Sequence, residues 1–139
     1  MEFIPAGEII GERHQIRSVK IERSASLPDG EYAFIDMYCA DPDCDCRKTM
    51  VHVLHNGKHV ATINYGWESK SFYEKWMGDS NGTHPFLEMA GASIDITSPD
   101  RVDPNAMLSF FNYLLSDAWT AKFKAHYKAF KAALPAKES

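Results

Sequence analysis

Residues 47–67 read "RKTMVHVLHNGKHVATINYGW", and this stretch decides the fold. Asn56-Gly57 is the dipeptide that best accepts the positive φ values of a type I′ turn, and here it separates two runs in which apolar and polar side chains alternate. The reading is a β-hairpin. Immediately upstream, "EYAFIDMYC" (31–39) is rich in strand-favouring aromatics with apolar residues on both sides, which predicts a well-covered strand. Residues 31–65 therefore form a three-stranded meander. "SLPDG" (26–30) is a turn, because Pro28 fixes one dihedral, Asp29 can bond the local backbone and Gly30 tolerates positive φ. Before it, "IRSVKIER" (16–23) has the looser alternation of a half-buried strand, with Val19 and Ile21 on one side and Lys20 and Glu22 on the other.

Downstream, "SKSFYEKWMG" (69–78) predicts a short helix capped by Ser69 or Ser71, and "DSNGTHP" (79–85) has loop composition. Ile94 and Ile96 alternate around Asp95 as in a further strand. From Asp103, a good helix cap followed by Pro104 at the first helical position, apolar residues recur at helical spacing: Met107, Phe110, Phe111, Leu114, Leu115, Ala118, Trp119, Phe123, Tyr127 and Phe130. Such a stripe predicts one long C-terminal helix lying on the sheet. The fold class is α+β, an antiparallel sheet covered by that helix, in a single domain spanning residues 1–139.

Composition bounds the function. The chain of 139 residues has a formal net charge of -4 and a pI near 5.8, which gives no general attraction for nucleic acid. The lysines of the tail, Lys122, Lys124, Lys128, Lys131 and Lys137, suit a solvated helix face near the negative end of a helix dipole. No apolar run approaches the length of a membrane span and the first residues lack the pattern of a secretion signal, so the expected compartment is the cytoplasm.

All three cysteines fall in "MYCADPDCDCRKTM" (37–50), between the first two strands of the meander. Cys39 ends one strand, and Cys44 and Cys46 precede the next, so the hairpin itself gathers three sulfurs. Thiolates are preferred ligands of Zn²⁺, and three cysteines with one histidine make a common structural site. Pro42 stiffens the loop, and Asp41, Asp43 and Asp45 can bond its amides. His52 is six residues along a strand from Cys46, roughly 20 Å at about 3.3 Å per residue, and His55 and His59 flank the far turn. His84, in the loop after the third strand, is the first candidate for fourth ligand, followed by His14, His126, a loop aspartate or water. A redox device is disfavoured, since the spacing is not C-x-x-C and the aspartates suppress thiolate reactivity.

The "YC", "DP" and "CDCR" of Tyr38–Arg47 resemble a segment found in small uncharacterised bacterial proteins. The resemblance covers ten positions. It implies a cysteine-bound metal and brings no catalytic residues with it.

A three-ligand zinc with an open position would be catalytic in form, as in a metal-dependent hydrolase. However, the H-x-E and P-C-x-x-C pair of zinc deaminases is absent, as are H-E-x-x-H and G-x-S-x-G. His84 with Glu88 makes only an isolated pair, and Asp36 and Asp95 are expected at solvent-facing strand positions. The expectation is a small zinc-binding protein that works through an unidentified protein partner, with the aromatics Tyr65, Trp67, Phe72, Tyr73 and Trp76 packing mostly locally.

Overall fold

The computed structural model describes residues 2–11, 17–77 and 89–135. The meander is its centre. Strand β3 (Gly30–Cys39) pairs with β4 (Lys48–His55), and β4 pairs with β5 (Lys58–Gly66), all antiparallel. Asn56 and Gly57 turn the second hairpin with φ of 48° and 85°, the left-handed pair that a type I′ turn requires. Strand β6 (Gly91–Ile94) extends the sheet beyond β5. On the opposite edge two short strands share β3: β2 (Arg17–Ile21) lies along Gly30–Phe34, and β1 (Phe3–Pro5) lies along Met37–Cys39.

The period of two along each strand sorts the side chains by face. Tyr32, Phe34, Asp36 and Tyr38 point one way, and register places Val53 beside Phe34 and Val51 beside Asp36, with Ile63 next in that row. This face is the buried one. It receives α3 (Pro104–Leu114) and α4 (Asp117–Ala133), whose Phe111, Trp119 and Phe123 pack on Phe34 and Tyr65.

The predicted single C-terminal helix is thus two helices. Asp103 and Pro104 start α3 as expected, the Asp103 carboxylate accepting from the Asn105 and Ala106 amides. The chain then leaves helical geometry at Leu115 and Ser116. Ser116 is extended, with φ −135° and ψ 168°, and its hydroxyl accepts from the Trp119 amide at 3.1 Å, so it caps a new helix. A Ser N-cap with Asp117 in the first turn satisfies amides that the break would otherwise orphan. The break lets α3 pack against β5 and β6 while α4 crosses β3 and β4 and reaches α1 (Ala6–Ile10).

Two apolar clusters result. The larger holds Phe34, Val51, Val53, Ile63, Met107, Phe111, Trp119 and Phe123 between the sheet and the helices. The smaller lies at the end where β3 meets β1: Ala6, Tyr38 and Phe130, with Ile4, Ile9, Ile10, Trp67, Tyr127 and Leu134 around them. Helix α2 (Lys70–Met77) follows β5 with Ser69 as its cap, the hydroxyl accepting from the Phe72 amide. Among the described residues, no helix is long and apolar enough to cross a membrane.

Candidate metal centre

The cysteine loop begins where β3 ends and leads directly into β4. Its first turn is local: the Cys44 amide donates to the Asp41 carbonyl at 3.1 Å, and the Asp41 carboxylate accepts from the Asp43 amide at 2.9 Å, the Asx turn that aspartate before proline and aspartate favours. On the strand side, the Ala40 amide donates to the Glu2 carbonyl, continuing the β1 ladder past Cys39. The loop ends on Arg47, held in the left-handed region at φ 47°. A non-glycine residue there carries strain of about 1–2 kcal/mol, which persists only where neighbours fix it. They do so on both sides: the Arg47 amide donates to Tyr127 Oη at 3.3 Å, and the Arg47 carbonyl accepts from Tyr73 Oη at 2.6 Å. Its guanidinium pairs with Asp45 at 3.0 Å and with Glu68 at 3.5 Å, over the ring of Phe72.

This scaffold brings Cys39, Cys44 and Cys46 together, the three ligand atoms lying within 4.8 Å of one another. Tetrahedral thiolates at about 2.3 Å from zinc stand about 3.8 Å apart, so closing on an ion needs a shift of about 1 Å or less. Cys39 and Cys46 are buried and Cys44 is half-buried. No protein-family model, curated protein or solved structure matches this chain. The site is therefore read from its own geometry.

Electrostatics agree with a site for a cation and disagree with a nucleophile. Burial, and then the neighbouring Cys46 and Cys39, push the Cys44 thiol up to about 12, and burial with Cys39 raises Cys46 as well. Three sulfurs packed this closely cannot all ionise unless positive charge is supplied, and a divalent ion supplies it. Two ammonium groups flank the cluster. Lys131 Nζ donates to the carbonyls of Cys39 and Asp41, both at 2.8 Å, and burial holds Lys48 below its ordinary value, an effect that negative charge on Cys46, Asp95, Cys39 and Cys44 opposes.

The other predicted ligands separate clearly. His84 and His14 lie outside the described residues, and so does Glu88. His126 belongs to a different arrangement: its Nδ1 is 2.7 Å from Asp36 Oδ2, which also accepts from Tyr38 Oη at 2.6 Å. His52 and His59 stack on one another at 4.2 Å, and His55 contacts the Asp29 carbonyl beside the Asn56-Gly57 turn, in keeping with the strand distances. Asp45 is bonded to Arg47 and Tyr127. Among the described residues, only the three cysteines form a group that could hold a metal ion.

Asp36 corrects the sequence reading. Expected at a solvent-facing position, it is 2% exposed, because it lies on the same face as Phe34 and Tyr38. Lys131 is the residue that the sequence reading missed: grouped with the solvated lysines, it is half-buried over the cysteine loop, whereas Lys122, Lys124 and Lys128 are exposed. Its position one helical turn beyond Tyr127 is the signal that places both on one side of α4.

Proposed function

We propose that the chain is a small cytoplasmic zinc-binding protein whose metal, held by Cys39, Cys44 and Cys46 with His84 as fourth ligand, fixes the loop between β3 and β4, and that it acts as a protein-interaction module. The observation that carries the metal reading is the convergence of three sulfurs within 4.8 Å. Zinc is favoured over other ions because a thiolate-rich, tetrahedral donor set suits it and requires no redox change. A structural role is supported by the surroundings of the loop, whose carbonyls, amides and carboxylates are engaged in bonds to α2 and α4. The raised thiols of Cys44 and Cys46 weigh against redox or nucleophilic chemistry, which needs a free thiolate.

Elemental analysis of protein purified without chelator tests the reading: one equivalent of zinc is expected, and less than about half an equivalent overturns it. Cys46→Ser should abolish loading. X-ray absorption at the zinc edge then reads the ligand set, with three sulfurs and one nitrogen expected. His84→Ala should replace the nitrogen by oxygen. Three sulfurs and a water in the unaltered protein would instead transfer the assignment to an open, hydrolase-type centre.

A further inference from the structure

The cysteine loop is bonded to one half of α4 and not to the other. Tyr127 Oη donates to Asp45 at 2.7 Å and accepts from the Arg47 amide, and Lys131 Nζ reaches across to the carbonyls of Cys39 and Asp41. The polar anchors of Tyr127 and Lys131 are thus set by the path of residues 39–47, while His126 just before them is held by Asp36 of β3. The apolar contacts divide at the same point. Trp119 and Phe123, in the first half of α4, belong to the main core, whereas Phe130, Tyr127 and Leu134 belong to the smaller cluster with α1 and Tyr38. Small clusters held by few contacts open at lower free energy than a main core.

Resting on the metal reading above, we propose that metal occupancy regulates the docking of α1 and of the C-terminal half of α4, the centre acting as a latch for that end of the molecule and not as the nucleus of the whole fold. With the ion bound, the thiolates fix the loop path, the left-handed Arg47 is held, and Tyr127 and Lys131 find their acceptors in place. Without it, the neutral thiols have no common partner, the loop relaxes, and the last two turns of α4 lose the carbonyls and carboxylate they bond. The meander, α3 and the first half of α4 retain a core that contains no atom of the loop.

Hydrogen exchange on the full chain, compared with one equivalent of zinc and with excess chelator under reducing conditions, tests this. Amides of residues 124–134 and 4–10 should exchange about tenfold faster or more without metal, while those of 50–64 and 104–114 change by less than about twofold. Loss of protection across all segments together overturns the latch and makes the metal a requirement of the whole fold. Equal protection throughout overturns it also. Metal content measured on the same samples separates these outcomes from failure of the metal reading, for protein that never holds zinc overturns both. Lys131→Met supplies the second arm: with its zinc retained, it should already show faster exchange in 124–134, and unchanged exchange would remove the coupling.

Discussion

Asp36 offers the sharpest test of how the second half of α4 is held. Its Oδ2 accepts from both Tyr38 Oη, at 2.6 Å, and His126 Nδ1, at 2.7 Å, in a position 2% exposed to solvent. Replacement by Ala removes both bonds and leaves a void. Hydrogen bonds to a charged group contribute about 1.5–3 kcal/mol each, but two circumstances reduce the loss. Tyr38 Oη keeps the Phe123 carbonyl at 3.1 Å as an alternative acceptor, and the cost of burying a carboxylate disappears. We expect Asp36→Ala to destabilise the domain by about 3 kcal/mol. Asp36→Asn is the informative comparison. Both donors meet the same oxygen, so an amide oxygen placed there keeps both bonds and loses only the assistance of charge, at about 1 kcal/mol. Urea unfolding followed by circular dichroism, with the two variants analysed at a common slope, should order the proteins as wild type, Asn, Ala. For a chain of this length, Ala should lower Tm by about 10 °C or more. An Ala variant within about 0.5 kcal/mol of wild type, or an Asn variant as damaged as Ala, would refute the shared-oxygen arrangement.

Three further outcomes follow from the same reasoning. Gly66→Ala should cost about 1–3 kcal/mol, because a Cβ there would overlap the Met89 carbonyl oxygen and stand 2.6 Å from Tyr73 Oη; thermal unfolding at or above the wild-type Tm would contradict it. In metal-free, reduced protein, the raised Cys44 thiol contributes stability that is complete below its ordinary value of 9.0 and is lost as pH rises toward about 12; denaturation between pH 8 and about 10.5 should show that decline, and Cys44→Ser should flatten it. Tyr127→Phe removes the donor to Asp45 and the acceptor of the Arg47 amide, at about 1–2 kcal/mol near neutral pH. The Arg47 hydrogen bond and Tyr127 hold Asp45 below its ordinary 3.8 despite partial burial, so that contribution is complete above 3.8 and fades as pH falls through the lower folded value, and the difference between wild type and variant should narrow there.

The features legible in the sequence were those encoded within a few residues. Asn56-Gly57 specified its turn, Ser69 and Asp103 their caps, and the alternation of residues 31–65 the meander, because backbone preference and local hydrogen bonds act over that range. The convergence of Cys39, Cys44 and Cys46 was legible for the same reason: one hairpin carries all three. Less accessible was whatever depends on distant pairing. The strand Phe3–Pro5 has three residues and no alternation long enough to read; it exists because the β3 edge near Cys39 offers it a ladder. The Leu115–Ser116 break was hidden by apolar spacing that continues across it, although the Ser116-Asp117 pair carries the signature of a helix start. Asp36 reads as an ordinary outward carboxylate until His126, 90 positions later, comes to lie against it. Lys131 is likewise one lysine among several until α4 is set across the sheet.

The bond from Lys131 to the Asp41 carbonyl also spans 90 positions. A chain elongating at about 5–20 residues per second makes the cysteine loop about 5–20 s before the lysine that later lies across it. During that interval the three thiols already lie within one hairpin of neighbouring strands, yet the helix that covers them has not been synthesised. Closure over the candidate centre is therefore delayed by the direction of translation, and a metal offered to the nascent chain would meet an uncovered site.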